Sequence, residues 1–188
     1  MQIISSIHEI NKLENAVVAV GSFDGVHLGH QQILNSLKEN AARLNGKSVV
    51  ITFEPHPQEV LYRSSDFFRI NKKEEKIKLI EKAGIDYLII LPFTQELSKL
   101  TFKEFIQNIL IDKIGAKALI MGPNHSIGKN REGNIENIST FAAENGIEII
   151  KVTECLFNNF SIRSQKIRDL LKNGELEKAS LLLGYTIR

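Results

Sequence analysis

Short, nearly unbroken apolar runs alternate along this chain with longer stretches in which apolar residues recur every three or four positions. The runs are Ala16-Val17-Val18-Ala19-Val20, Ser48-Val49-Val50-Ile51-Thr52-Phe53, Tyr87-Leu88-Ile89-Ile90-Leu91, Ala118-Leu119-Ile120-Met121 and Ile147-Glu148-Ile149-Ile150-Lys151-Val152. Most lack the polar alternation of a strand with one wet face, so they read as strands covered on both sides. The helix-period stretches are residues 31–44, 72–83, 102–114 and 135–145. Gly46, Gly84, Gly115 and Gly146 fall just past their ends, where a left-handed residue closes a helix. Repetition of helix, glycine and strand predicts one doubly wound α/β domain, a mostly parallel, Rossmann-like sheet with helices on both faces. Residues 164–173 and 176–183 add two short C-terminal helices joined at Gly174, expected to pack on the sheet edge or its ligand cleft. Ligands of such folds lie beyond the carboxyl ends of the strands, so the residues just after each strand are the candidates for chemistry.

Composition narrows the class. The chain has 188 residues, enough for one generous domain and too few for two. Lys and Arg number 24 against 22 Asp and Glu, and the net charge of +2 forms no basic stripe, so no nucleic-acid partner is expected. A single cysteine, Cys155, rules out an intrachain disulfide and is expected to be a buried, inert thiol in a reducing compartment. Glu9 and Asn11 interrupt the start of the chain where a signal peptide needs an apolar core, and no run approaches membrane-spanning length. The expectation is a soluble cytoplasmic protein with no membrane partner, a monomer or weak homo-oligomer.

One segment stands out. The first long run is followed by Gly21-Ser22-Phe23-Asp24-Gly25-Val26-His27-Leu28-Gly29-His30, after which a helical pattern begins. A strand, a glycine-containing loop and a helix start together present free amides and the positive helix end to an anion. A helix beginning near residue 27 puts His27 and His30 on one face of its first turn, and Gly29 leaves room for a nucleotide to approach the backbone. The alternatives are surface or capping histidines on an ordinary strand-to-helix loop, or a metal pair, although no Cys or carboxylate stands nearby at a zinc-like spacing. No Gly-Lys-Ser/Thr follows the glycines, so this is not a Walker-type loop.

Taken with the later segments, the chain resembles the H-x-G-H nucleotidyltransferases, and among them the FAD synthetase module of the bacterial riboflavin kinase/FMN adenylyltransferases. Besides G-S-F-D-G-V-H-L-G-H, the resemblance rests on Thr52-Phe53-Glu54-Pro55-His56-Pro57, Pro92-Phe93-Thr94, residues 122–133, Ile167-Arg168, Gly174 and Leu182-Leu183-Gly184, each in order and after the expected strand. It implies transfer of the adenylyl group of ATP, with Mg²⁺, to FMN, giving FAD and pyrophosphate. It assigns catalytic roles to His27, His30, Ser164 and Arg168. Gly21, Phe23, Asp24, Gly29, Gly122, Asn124 and Arg163 are expected at the nucleotide. Thr52, Pro55, His56, Pro57, Asn124 and Arg131 are expected at the flavin. No protein-held metal is expected. A triphosphate beside the histidines should raise their pKa and keep them cationic.

Two segments depart from the family pattern. Gly122-Pro123-Asn124-His125-Ser126-Ile127-Gly128-Lys129-Asn130-Arg131-Glu132-Gly133 keeps the frame of G-x-[DN]-F-x-F-G-x-x-R-x-G but has His125 and Ile127 in place of both aromatics. Ile162-Arg163-Ser164-Gln165-Lys166-Ile167-Arg168 stands where the family shows I-S-S-T-x-I-R, so Arg163 and Gln165 replace a serine and a threonine. Arg163 is either a phosphate clamp of its own or an obstruction. These changes leave two other readings open: a nucleotide-binding protein of the same fold with reduced or lost catalysis, and an adenylyltransferase with another phosphate acceptor. The family's C-terminal riboflavin kinase domain has no counterpart in these residues.

Overall fold

The computed structural model describes residues 1–62, 67–123, 125–158 and 160–187. Six strands form one sheet: β1 (Gln2–Ile4), β2 (Ala16–Val20), β3 (Ser48–Glu54), β4 (Tyr87–Pro92), β5 (Ala116–Met121) and β6 (Glu148–Lys151). Their order is β1-β4-β3-β2-β5-β6, and every pairing is parallel. The helices are α1 (Leu28–Arg43), α2 (Pro57–Leu61), α3 (Lys73–Lys82), α4 (Gln95–Ser98), α5 (Phe102–Phe105), α6 (Ile135–Glu144), α7 (Ser164–Lys172) and α8 (Leu176–Leu183).

The apolar runs lack alternation because both sheet faces are covered. Val18, Val20, Ile51, Ile89, Leu119 and Met121 point into one core, shared with Phe105, Ile109, Leu110 and Ile138. Their neighbours Val17, Ala19, Val50, Leu88, Ala118 and Ile120 point into the other, against Leu34 and Leu37 of α1 and Ile80 of α3. Successive strand residues face opposite sides, so two buried faces demand a continuous run. The chain moves outward from β2 through β3 to β4 and then returns to place β5 on the other side of β2. Such a reversal opens a crevice beyond the carboxyl ends of β2 and β5, and this is where the site lies.

The predicted doubly wound α/β architecture holds, with local differences. The stretch 102–114 is one α-helical turn, closed by the Thr101–Glu104 capping box, followed by a π-helical segment over Ile106–Ile114. Gly46 does not close α1 in a left-handed conformation; Asn45 does, with φ 48°. Gly46 is needed for space, since a Cβ there would fall 1.9 Å from the Asn15 carbonyl oxygen. The edge strand β1 has only three residues, two of them exposed, and so has no run to read. A small antiparallel hairpin, β7 (Leu156–Phe157) and β8 (Phe160–Ser161), precedes α7. Cys155 is half-buried rather than buried.

Helices α7 and α8 form a third apolar cluster of Ile162, Ile167, Leu170, Ala179 and Leu183, packed on Leu28 and Ile70. They are stitched to the loop after β2: the Tyr185 hydroxyl donates to the Gly25 carbonyl at 2.6 Å, and the Gln31 amide donates to the Leu183 carbonyl at 2.8 Å. Among the described residues no helix is long and apolar enough to cross a membrane.

Candidate active site

The loop from β2 to α1 is compact because its backbone turns through unusual conformations. Phe23, Gly25 and Val26 have φ of 48°, 86° and 36°. A positive φ at a β-branched valine is a strained state, persisting only where the surroundings over-determine it. Here Val26 is buried, its amide donates to the Phe23 carbonyl at 3.2 Å, and its carbonyl accepts from the Gln31 side chain at 3.1 Å.

The turn delivers His27 to the N-cap of α1. Its Nδ1 accepts from the His30 amide at 3.3 Å, so the neutral ring carries its proton on Nε2. The two imidazoles stack, centroids 3.7 Å apart and planes 17° from parallel, with Phe23 tilted against His30. Gly29 makes room for this stack, since a Cβ there would come within 3.2 Å of the His27 ring. Burial pushes the His27 pKa down to about 4, against the attraction of Asp24. His30 is also held well below the ordinary value, by burial first, then by His27 and Lys76. Both rings are therefore neutral near pH 7 without a ligand. His30 Nδ1 is buried with no partner among the described residues. Buried polar atoms almost always have a partner, so an unpartnered one beside a helix N-terminus is a candidate for a ligand contact.

Asp24 anchors the loop from below. Its carboxylate pairs with Arg168 of α7 at 2.5 Å, both side chains nearly inaccessible, and accepts from the Ile70 amide at 3.0 Å. Its carbonyl accepts from the Ser164 hydroxyl at 2.9 Å. Arg168 also donates to the Phe68 carbonyl at 3.0 Å and lies over the Phe67 ring, 4.6 Å from its centroid. Ser164 and Arg168 thus join the C-terminal helices to the histidine loop through Asp24.

Beyond β3, Thr52 is fully buried, its hydroxyl donating to the Ser22 carbonyl at 3.1 Å. His56 caps α2, its Nδ1 accepting from the Gln58 amide at 3.1 Å, and stacks on Phe67. Burial brings its pKa down to about 4, Asp24 and Glu59 opposing, Arg168 and Lys76 assisting. Its Nε2 is a second buried polar atom without a partner among the described residues. Arg69 bridges Glu54 at 2.6 Å and Glu59 at 2.5 Å, closing the outer side of this segment.

These elements surround an open cavity of about 940 Å³, within the size range of ligand sites. Of the residues singled out from the sequence, Gly21, Phe23, His27, Gly29, His30, His56, Pro57, Gly122, Arg131, Arg163, Ser164 and Arg168 line it. Asp24 and Thr52 are buried behind the wall, and Pro55 is exposed outside the lining. Asn124 lies outside the described residues. On the far rim, Ile127 and Gly133 exchange backbone hydrogen bonds of 3.0 Å, and Arg131 donates to the Ser126 hydroxyl at 2.9 Å. His125, in place of the family's aromatic, faces the cavity, with its pKa lowered to about 4 by burial and by Arg131. Arg163 caps the approach to α7, donating to the Ser161 hydroxyl at 3.1 Å with Glu154 at 3.7 Å.

The sequence reading missed Lys76, whose ammonium is buried behind the Ser22 and Phe53 backbone. A signal existed, since Lys76 keeps helical phase with buried Ile80 of α3 and so occupies a core position. It missed Tyr62, an exposed aromatic at the cavity mouth; Phe93, within the Pro92-Phe93-Thr94 segment it did single out, packs edge-on against Phe53 in the cavity lining.

Comparison with known proteins agrees with this geometry. The family model for FAD synthetase matches residues 9–166. A bifunctional riboflavin kinase/FMN adenylyltransferase from Buchnera aphidicola subsp. Acyrthosiphon pisum is 35% identical over 98% of this chain and 59% of its own length. The protein of that name from Escherichia coli K12 is 29% identical over 98% of this chain and 60% of its own. The chain thus spans about three fifths of the length of the curated relatives it matches. A crystal structure described as a macrolide-efflux protein from Streptococcus pneumoniae superposes with a TM-score of 0.85 at 26% identity, covering 97% of this chain and 59% of that one. With the family model spanning both the histidine loop and the start of α7, this chain belongs to the FAD synthetase family.

Proposed function

We propose that the chain transfers the adenylyl group of Mg·ATP to the phosphate of FMN, releasing pyrophosphate and FAD. The observation that carries this reading is the stacked His27–His30 pair at the N-terminus of α1, on the wall of a cavity of about 940 Å³, with His30 Nδ1 buried and unpartnered among the described residues. The family membership and the names of the relatives support the choice of acceptor.

The triphosphate lies against the amides of the α1 N-terminus, with the imidazoles beside it. As it enters, its negative charge raises both depressed pKa values, and the histidines become cationic donors where charge builds up. A phosphate oxygen of FMN attacks the α-phosphorus in line. The new oxygen–phosphorus bond forms as the bond to the oxygen bridging the α- and β-phosphorus breaks, and that oxygen leaves with the electron pair on pyrophosphate. No covalent enzyme intermediate is required; alignment and charge stabilisation do the work. Mg²⁺ is taken to arrive with the nucleotide, held mainly by phosphate oxygens and water. The flavin ring takes the lobe between Phe53, Phe93, His56 and Pro57, with Arg131 on its far side.

The test is to incubate the protein with Mg·ATP and FMN and follow both products. One FAD per pyrophosphate is expected. Pyrophosphate release without FAD, or release only with a different phosphate acceptor, overturns the choice of FMN. Tight ATP binding with no release at all favours a binding protein.

A further inference from the structure

Lys76 lies in the middle of α3, yet its side chain is buried, and no described carboxylate stands within salt-bridge distance of its ammonium. Instead Nζ donates to three uncharged oxygens: the Thr52 hydroxyl at 3.2 Å, the Ser22 carbonyl at 3.3 Å and the Phe53 carbonyl at 3.5 Å. A buried cation met only by dipoles carries a desolvation cost that a surface lysine avoids. Its position relates that cost to the site. Ser22 begins the strained loop that delivers His27 and His30, and Phe53 lies just before the segment that delivers His56. Both residues line the cavity, so the ammonium sits directly behind the wall where the two loops meet.

The groups that face this ammonium are mixed. Glu54 and Asp24 hold its charge in place, Arg69 and Lys73 oppose it, and burial acts most strongly against it. The carboxylates nearest in effect are already engaged: Glu54 with Arg69, and Asp24 with Arg168. The charge is felt on the cavity side, where it helps keep both His30 and His56 neutral. A polyphosphate entering the cavity meets a fixed positive charge behind the wall in addition to the helix end in front.

We propose that Lys76 is a positioning residue of the polyphosphate site: one buried ammonium holds the His27–His30 loop and the His56 segment in register and supplies a positive charge behind them. The inference rests on the proposed adenylyl transfer for its biological use, but it can be tested without turnover. Inorganic tripolyphosphate is the probe, titrated calorimetrically into the full chain and its Lys76→Arg, Lys76→Gln and Lys76→Met variants, while histidine ring signals are followed by NMR over pH 4–8.

Lys76→Gln and Lys76→Met should each weaken tripolyphosphate binding by about tenfold, a free-energy change of about 1.4 kcal/mol. Both should also raise the pKa of His30 and His56, since a neighbouring positive charge has gone. Lys76→Arg should restore binding to within about threefold and leave the histidine titrations near those of the parent. If Lys76→Met does not fold, the Gln variant, which retains hydrogen bonding without charge, decides. Parent-like binding and histidine titration in the Gln variant overturns the proposal, as does equal weakening by Arg and Gln. Absence of FAD formation by the parent protein, with these binding results intact, refutes the choice of reaction and leaves the role of Lys76 standing.

Discussion

Two arginines at the start of the same helix divide the site into unlike regions. Arg168 is within α7, its side chain 6% exposed and paired with Asp24; Arg163 precedes α7, its side chain 59% exposed and turned to Ser161 and Glu154 on the cavity rim. Around Arg168 lies a floor of buried and half-buried groups in three bonded sets: Asp24 with Arg168 and Ser164, Thr52 with Lys76, and the stacked histidines. Around Arg163 and Arg131 lies a rim of half-exposed polar side chains. Buried charges are tolerated only when paired and hydrogen-bonded, so each floor residue constrains its neighbours. Exposed pairs are screened by water and hold little. Of the departures from the family pattern, Arg163 and Gln165 are exposed beside the rim, whereas His125 is half-buried and Ile127 is buried in the core under one face of the sheet.

The largest expected effect comes from breaking the floor. Asp24→Asn leaves the Arg168 guanidinium buried without its counter-charge, which should cost about 3–5 kcal/mol of folding stability. Denaturant unfolding measures it. The double variant Asp24→Asn with Arg168→Met should recover part of the loss, because no buried charge remains. An unchanged midpoint in the single variant would remove the distinction between floor and rim.

A similar magnitude attaches to His56 as pH falls. Its folded pKa is about 4, below the ordinary 6.5, so the native state resists protonation that the unfolded chain accepts. Stability is therefore complete above about pH 6.5 and declines as the pH falls towards 4, by about 3 kcal/mol for this ring. The charged groups acting on it are Asp24 and Glu59 on one side, Arg168 and Lys76 on the other. Thermal unfolding between pH 4 and 7 should show a shallower acid decline in His56→Gln than in the parent.

Replacing the histidines tests chemistry rather than folding. His30→Ala should lower the rate of FAD formation by a hundredfold or more, about 2.7 kcal/mol, the cost of one transition-state donor. His27 also caps α1, so His27→Asn is the cleaner variant, since asparagine keeps the capping bond while removing the imidazole. Parent rates in either folded variant would end their assignment.

The floor and the rim also differ in how far the sequence discloses them. The sheet is legible because both faces of its middle are covered, which turns β2, β3, β4 and β5 into nearly unbroken apolar runs. The histidine loop is legible because strand, glycine and helix start occur in one short segment. What joins them is not: the bonds from Asp24 to Arg168, from Ser164 to the Asp24 carbonyl and from Lys76 to Thr52 span long stretches of sequence, and residue types alone carry no trace of such pairings. The likeness to the family brought Ser164 and Arg168 forward as catalytic and Asp24 as nucleotide-binding; the geometry adds a bond from each to another part of the wall. The short strand β1 and hairpin β7–β8 bury too little for a periodic signal.

The smallest expected effect is on the rim, and its sign matters more than its size. Arg163 stands where the family has a serine, and Gln165, where it has a threonine, bonds to Asp169 and Arg168. If the guanidinium turns from Ser161 and Glu154 to a bound triphosphate, it adds a charge-assisted contact to the positive end of α7. Arg163→Ser should then weaken Mg·ATP binding by about tenfold, 1.4 kcal/mol, the low end for a charged hydrogen bond because the side chain is exposed. The loss should shrink as salt rises, since water and ions reach this charge. Adding Gln165→Thr separates the rim from the floor, because it removes the Gln165–Arg168 bond but leaves the Asp24–Arg168 pair, so little further change is expected. Tighter ATP binding and faster turnover in Arg163→Ser would mean that the arginine obstructs the site, and the rim would then have departed from its family at the expense of the reaction.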